Sequence, residues 1–138
     1  MFSKRFARLT TSPENRDFCG SRPNCVCSLC PVSDDQHWIE PLQGIGGQPI
    51  AAISEVVGNW DRTKIIEQTD DFLLVEFRSR LGFVDDVEFL LAGDIVHVRS
   101  ASRVGYGDHG VNRDRIESVR QTIQNMVMND THSPSGQE

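Results

Sequence analysis

The sequence predicts an α+β fold: a four-stranded antiparallel meander sheet with helices packed on one face, in the order α-β-β-β-β-α, preceded by an irregular cysteine-containing segment. Three observations predict it. Four stretches rich in β-branched and aromatic residues follow one another between Thr63 and Arg103, joined by short turn-forming residues. Two stretches with apolar residues at helical spacing flank them. The chain has 138 residues, 38% of them hydrophobic and 25% charged, which suits one ordinary globular domain.

Residues 1–18 are polar without a clear period and read as irregular. Residues 19–129 then form the single domain. Cys19, Cys25, Cys27 and Cys30 fall at its start, and residues 31–47, with two prolines and three glycines, read as a connector. Pro49 suits the first turn of a helix, and Ile50, Ile53, Val56 and Val57 give that helix an apolar stripe up to Gly58-Asn59. The predicted strands are Thr63–Thr69, Phe72–Arg80, Phe83–Leu91 and Ile95–Arg103. A second helix starts near Asn112, a good N-cap residue, with Ile116, Val119, Ile123, Met126 and Val127 facing the core. Residues 130–138 read as a disordered polar tail.

A net charge of −6 and a pI near 5.1 argue against binding nucleic acid, which needs a cationic surface. No apolar run approaches the roughly 20 residues of a membrane-spanning segment. The basic first ten residues lack the apolar stretch of a secretory signal, so a cytoplasmic location is expected, with organelle targeting left open.

Alternation along the strands separates two faces. Leu73, Val75, Phe77, Val87, Phe89, Val96 and Val98 share the core face. Glu76, Arg78, Asp86, Glu88, His97, Arg99 and Arg103 share the other. That mixture reads either as solvated cross-strand ion pairs or as a guanidinium fork for a carboxylate or phosphate. The run Arg103–Arg115 adds three glycines, Tyr106, Asp108 and further arginines between a strand and a helix N-terminus, where anions are favoured. Arg113 and Arg115 sit in the helix's first turn, where cations are disfavoured. They therefore need a partner: Asp85, Asp86, Asp108 or an anionic ligand.

The four cysteines leave three readings open: a zinc site using Cys19, Cys25, Cys27 and Cys30, a disulfide such as Cys19–Cys25, or reduced thiols. A redox role for Cys27-x-x-Cys30 is disfavoured, because no helix follows to lower a thiol pKa.

The runs PNCV (Pro23–Val26), EFRSRLGFVDDVEF (Glu76–Phe89) and VRSASRVGYGDHGVNRDRIE (Val98–Glu117) resemble the domain-of-unknown-function 1499 family, roughly from Cys19 to Met126. Cys27 and Cys30 depart from the family pattern, which weakens a four-cysteine metal site. The resemblance implies no activity. It marks Cys25, Arg78, Ser79, Asp85, Asp86, Glu88, Arg99, Ser100, Ser102, Arg103, Gly105, Tyr106, Asp108, Gly110, Asn112, Arg113 and Arg115 as family motif positions, and its polar members are the candidate ligand-binding residues. Three functions follow. One is a non-catalytic module recognising an anionic small molecule or a protein partner. Another is an enzyme using Asp86 and Glu88, about 7 Å apart on one strand. The last is a scaffold with an internal ion-pair network.

Overall fold

A computed structural model describes Cys19, residues 23–104 and residues 110–137, with side chains as far as Asn129. The fold is α+β, with an antiparallel sheet and, among the described residues, two helices. The elements are β1 (Cys25–Cys27), β2 (Leu42–Gln43), α1 (Pro49–Gly58), β3 (Thr63–Gln68), β4 (Phe72–Arg78), β5 (Val84–Ala92), β6 (Ile95–Ser102) and α2 (Val111–Gln137).

The strands β3 to β6 form the expected meander, each within two residues of its predicted bounds. The strand count is corrected. Among the described residues the sheet has six strands, in the order β1-β6-β5-β4-β3, with β2 also paired to β6. Two strands thus precede α1, and the cysteine segment is not wholly irregular. Its strand β1 runs antiparallel to β6, with Cys25 opposite Ala101, Val26 opposite Ser100 and Cys27 opposite Arg99. Val26 explains the docking: it enters the main core, while its two cysteine neighbours point to the opposite face.

Both helices contribute to one core. Ile50, Ile53, Val56 and Val57 of α1 and Ile116, Val119 and Ile123 of α2 pack with Leu73, Val75, Phe77, Val87, Phe89, Val96 and Val98. These are the side chains that alternation assigned to the apolar face. Burying a Phe or Ile side chain contributes roughly 2–3 kcal/mol, so this layer supplies most of the fold's driving force. The Asn112 expectation is corrected: Asp114 N–H bonds to the Gly110 carbonyl, so the helix already begins at Val111 and Asn112 lies inside its first turn. Gly110 takes φ +84°, which suits glycine at this turn into the helix. The helix continues to Gln137, past Asn129, where the polar tail was expected to begin. Among the described residues no helix is long and apolar enough to cross a membrane.

The opposite face of the sheet is covered as well, over part of its area. Cys19, Cys25, Cys27 and Cys30 pack there with Phe72, Leu74, Leu90 and Ala101, and Leu29 and Trp38 close over them.

Candidate functional site

Register decides which polar side chains meet. Across β4, β5 and β6, Phe77 lies opposite Asp85 and Asp85 opposite Ser102, while Glu76 lies opposite Asp86 and Asp86 opposite Ala101. Neighbouring rows point to opposite faces. The predicted cluster is therefore two clusters, one on each side of the sheet.

The helix-side cluster is centred on Asn112, which is buried. Its Nδ2 donates to the Asn24 carbonyl at 3.1 Å and to Ser102 Oγ at 3.0 Å. Its Oδ1 accepts from Ser100 Oγ at 2.5 Å and from Arg115 Nη1 at 3.0 Å. Arg115 Nη1 also reaches Asp85 Oδ2 at 2.9 Å, and its guanidinium lies 4.6 Å from the centre of the Phe77 ring. Asp85 is thus the internal partner expected for Arg115. Together these bonds tie β1, β5, β6 and the start of α2 at one place. Arg113 instead donates to the carbonyls of Asp35 and Gln36.

The outer cluster is centred on Arg103. Its Nε and Nη2 grip Asp86 Oδ2 and Oδ1 at 2.8 and 2.9 Å, and Nη2 also meets Glu76 Oε2 at 2.9 Å. The Asp86 bond, followed by the Glu76 contact, holds the Arg103 proton even more tightly than usual. Arg78 Nη2 lies 3.3 Å from Glu76 Oε1. Further along β5 and β6, Arg99 Nη1 stands 3.5 Å from Glu88 Oε1. Asp86 and Glu88 are 3% and 1% exposed, so both carboxylates face guanidinium groups rather than solvent.

Ser79 lies at the start of the β4–β5 turn. Its hydroxyl accepts the Leu81 and Phe83 N–H groups at 3.2 and 3.1 Å, and Gly82 takes φ +91°, which together shape the β4–β5 turn. That turn holds Leu81 and Phe83 outward, 84% and 54% exposed, close in the chain to exposed Arg78 and Arg80. Tyr106, Asp108 and the neighbouring glycines Gly105 and Gly107 lie outside the described residues.

The four-cysteine zinc expectation is corrected. Cys19 and Cys25 form a disulfide, which removes two of the four thiolates that tetrahedral zinc would need. Among the described residues no group of three or more His, Cys, Asp or Glu side chains is placed to hold a metal ion. A cleft of about 250 Å³ between β2 and α2, lined by residues that include Leu42, Gln43, Ile45, Arg120 and Ile123, has no predicted site residue in its lining.

A family model described as a protein of unknown function (DUF1499) matches residues 17–123. The chain belongs to the DUF1499 family. The match spans both clusters, the disulfide and the β4–β5 turn of this DUF1499 domain. No curated protein and no solved structure matches the chain.

Three participants were missed in the sequence. Asn24 supplies the carbonyl that Asn112 binds. Ser28 Oγ accepts from Val98 N–H at 2.8 Å and lies 3.0 Å from His97 Nδ1, tying the cysteine segment to β6. Burial pushes the His97 pKa down. Asp34 bonds His37 Nδ1 at 2.8 Å. Only the PNCV run signals any of these, through Asn24.

Proposed function

We propose that this DUF1499 domain is a non-catalytic interaction module whose recognition surface is the β4–β5 turn with its guanidinium fringe. The observation that carries the reading is the exposure of Leu81 and Phe83 beside Arg78 and Arg80, with half-exposed Arg103 on the adjoining strand end. Large apolar side chains at a turn gain nothing for the fold, but they suit an interface core with an arginine rim. The partner is a protein or small molecule that offers a carboxylate or phosphate beside an apolar group. Helix-side Asp85, Ser100, Ser102, Asn112 and Arg115 then serve as the frame, because their polar atoms are spent on one another.

The enzyme reading draws less support, since Asp86 has both oxygens engaged by Arg103 and Glu88 is buried beside Arg99. The Cys19–Cys25 bond bears on location, because disulfides persist mainly in oxidising compartments. A cytoplasmic module would hold this bond only transiently.

The test is a photo-cross-linking residue placed at Phe83, compared with one at Val32, another exposed apolar position. The reading expects discrete adducts at Phe83 that Arg78→Glu suppresses. Equal, diffuse labelling at both positions would sink it.

A further inference from the structure

We propose that Cys27 and Cys30 form a dithiol site that exchanges with disulfides, with Cys30 as the attacking sulfur and Cys27 as the resolving one. Both are free thiols, and they lie in the same apolar cluster as the Cys19–Cys25 disulfide. Cys30 N–H donates to the Cys27 carbonyl at 3.3 Å, closing a four-residue turn. Such a turn brings its end Cα atoms within about 7 Å, close to the separation that a disulfide spans.

The surroundings of the two sulfurs differ, and the difference sets their roles. Cys27 is completely buried at the start of the turn, and burial pushes its thiol up. Its sulfur accepts the Leu29 N–H at 3.3 Å. Cys30 is also buried, at 6% exposure, but it lies at the edge of the cluster, next in the chain to the exposed residues Pro31, Val32 and Ser33. Its thiol is drawn down chiefly by the hydrogen bond from Cys27 and further by His37, against the opposing effects of burial and Asp34. His37 is in turn oriented by its 2.8 Å bond to Asp34 Oδ2. A cysteine pair usually gains its reactive thiolate from a helix N-terminus. Here a hydrogen-bonded sulfur and an Asp-held imidazole stand in that place.

The exchange balances without another oxidant. The Cys30 thiolate attacks one sulfur of a disulfide R–S–S–R′, forming Cys30–S–S–R and releasing R′–S⁻, which takes up the proton that Cys30 lost. Cys27, giving its proton to solvent, then attacks Cys30 Sγ. The Cys27–Cys30 bond forms, the mixed disulfide breaks, and R–S⁻ leaves and is protonated. Two protein thiols are oxidised by two electrons and one disulfide is reduced to two thiols.

The test uses the full chain purified without reductant, so that Cys19–Cys25 stays closed. The chain is equilibrated with buffers from reduced to oxidised glutathione, quenched in acid, alkylated and mapped by mass spectrometry. The expected result is a reversible Cys27–Cys30 disulfide with Cys19–Cys25 intact. Cys27→Ser should accumulate a glutathione adduct on Cys30, and Cys30→Ser should label at Cys27 at least tenfold more slowly. Insulin, as a disulfide-bonded protein probe, distinguishes the substrate source: reaction with insulin alone supports a protein disulfide, and reaction with glutathione disulfide supports a small one. The proposal is overturned if Cys27 and Cys30 stay reduced with both probes, if the two single variants react equally, or if only Cys19–Cys25 rearranges.

Discussion

Asp85 and Asp86 are neighbours in the chain, yet they pair with arginines on opposite faces of the sheet: Asp85 meets Arg115 at 2.9 Å on the helix side, and Asp86 meets Arg103 at 2.8 Å on the outer side. One acidic dipeptide thus anchors two separate networks. The inner pair is largely enclosed, with side-chain exposures of 14% and 13%. Arg103 is half in water. The energetic consequences differ accordingly.

Asp85→Asn leaves the Arg115 guanidinium enclosed without its carboxylate. Removing one partner of a buried pair typically costs about 3–5 kcal/mol. Because some solvent reaches this pair, the expected loss is about 3 kcal/mol, read from urea unfolding. Arg115→Ala should lose at least as much, since its stacking on Phe77 goes too.

Arg103→Ala should cost on the order of 1 kcal/mol, in line with an ion pair that water screens on one side. Arg103→Lys keeps the charge but not the two-pronged grip on Asp86, so its melting temperature should fall between those of wild type and the alanine variant. A loss as large as that of Asp85→Asn would show that the outer network is a structural lattice rather than a rim.

Asn112→Ala removes the four side-chain hydrogen bonds described above at a buried position and leaves the Asn24 carbonyl held by the Ser102 N–H without its second donor. The expected destabilisation is about 2–3 kcal/mol. Hydrogen exchange should report where it acts: the amides of β1 and the first turn of α2 should lose protection before those of β4 and β5.

His97 gives a pH dependence with a definite sign. Burial lowers its folded pKa below the ordinary 6.5, so the unfolded chain binds this proton more readily. Stability from this group is complete above about pH 6.5 and falls as pH drops towards the folded value. His97→Gln should flatten that acid limb in melts taken between about pH 7 and pH 5.

The alternation of Leu73, Val75 and Phe77 against Leu74, Glu76 and Arg78 made the meander and its faces legible, because strand periodicity is local. The strands β1 and β2 were not legible. Three residues, Cys-Val-Cys, and two, Leu-Gln, carry no period, and both exist only by pairing with β6. The same docking buries Glu88 and Arg99, which alternation alone placed on an exposed charged face. Period two also separates Asp85 from Asp86. Gathering the motif positions into one candidate site overrode that signal. Asn112 suited an N-cap by residue type, but its side chain makes long-range bonds to β1 and β6 that no local rule contains.

The central claim is that the β4–β5 turn recognises a partner while the inner network only frames it. Quantitative co-purification from the native host tests this most directly, using wild type, Phe83→Ser, Arg78→Glu and Val32→Ser at matched levels. The two turn variants should keep wild-type melting behaviour to within about 0.5 kcal/mol, as exposed substitutions usually do. The account predicts that the same partner is lost from both and kept with Val32→Ser. An identical set of partners from all four proteins would contradict it.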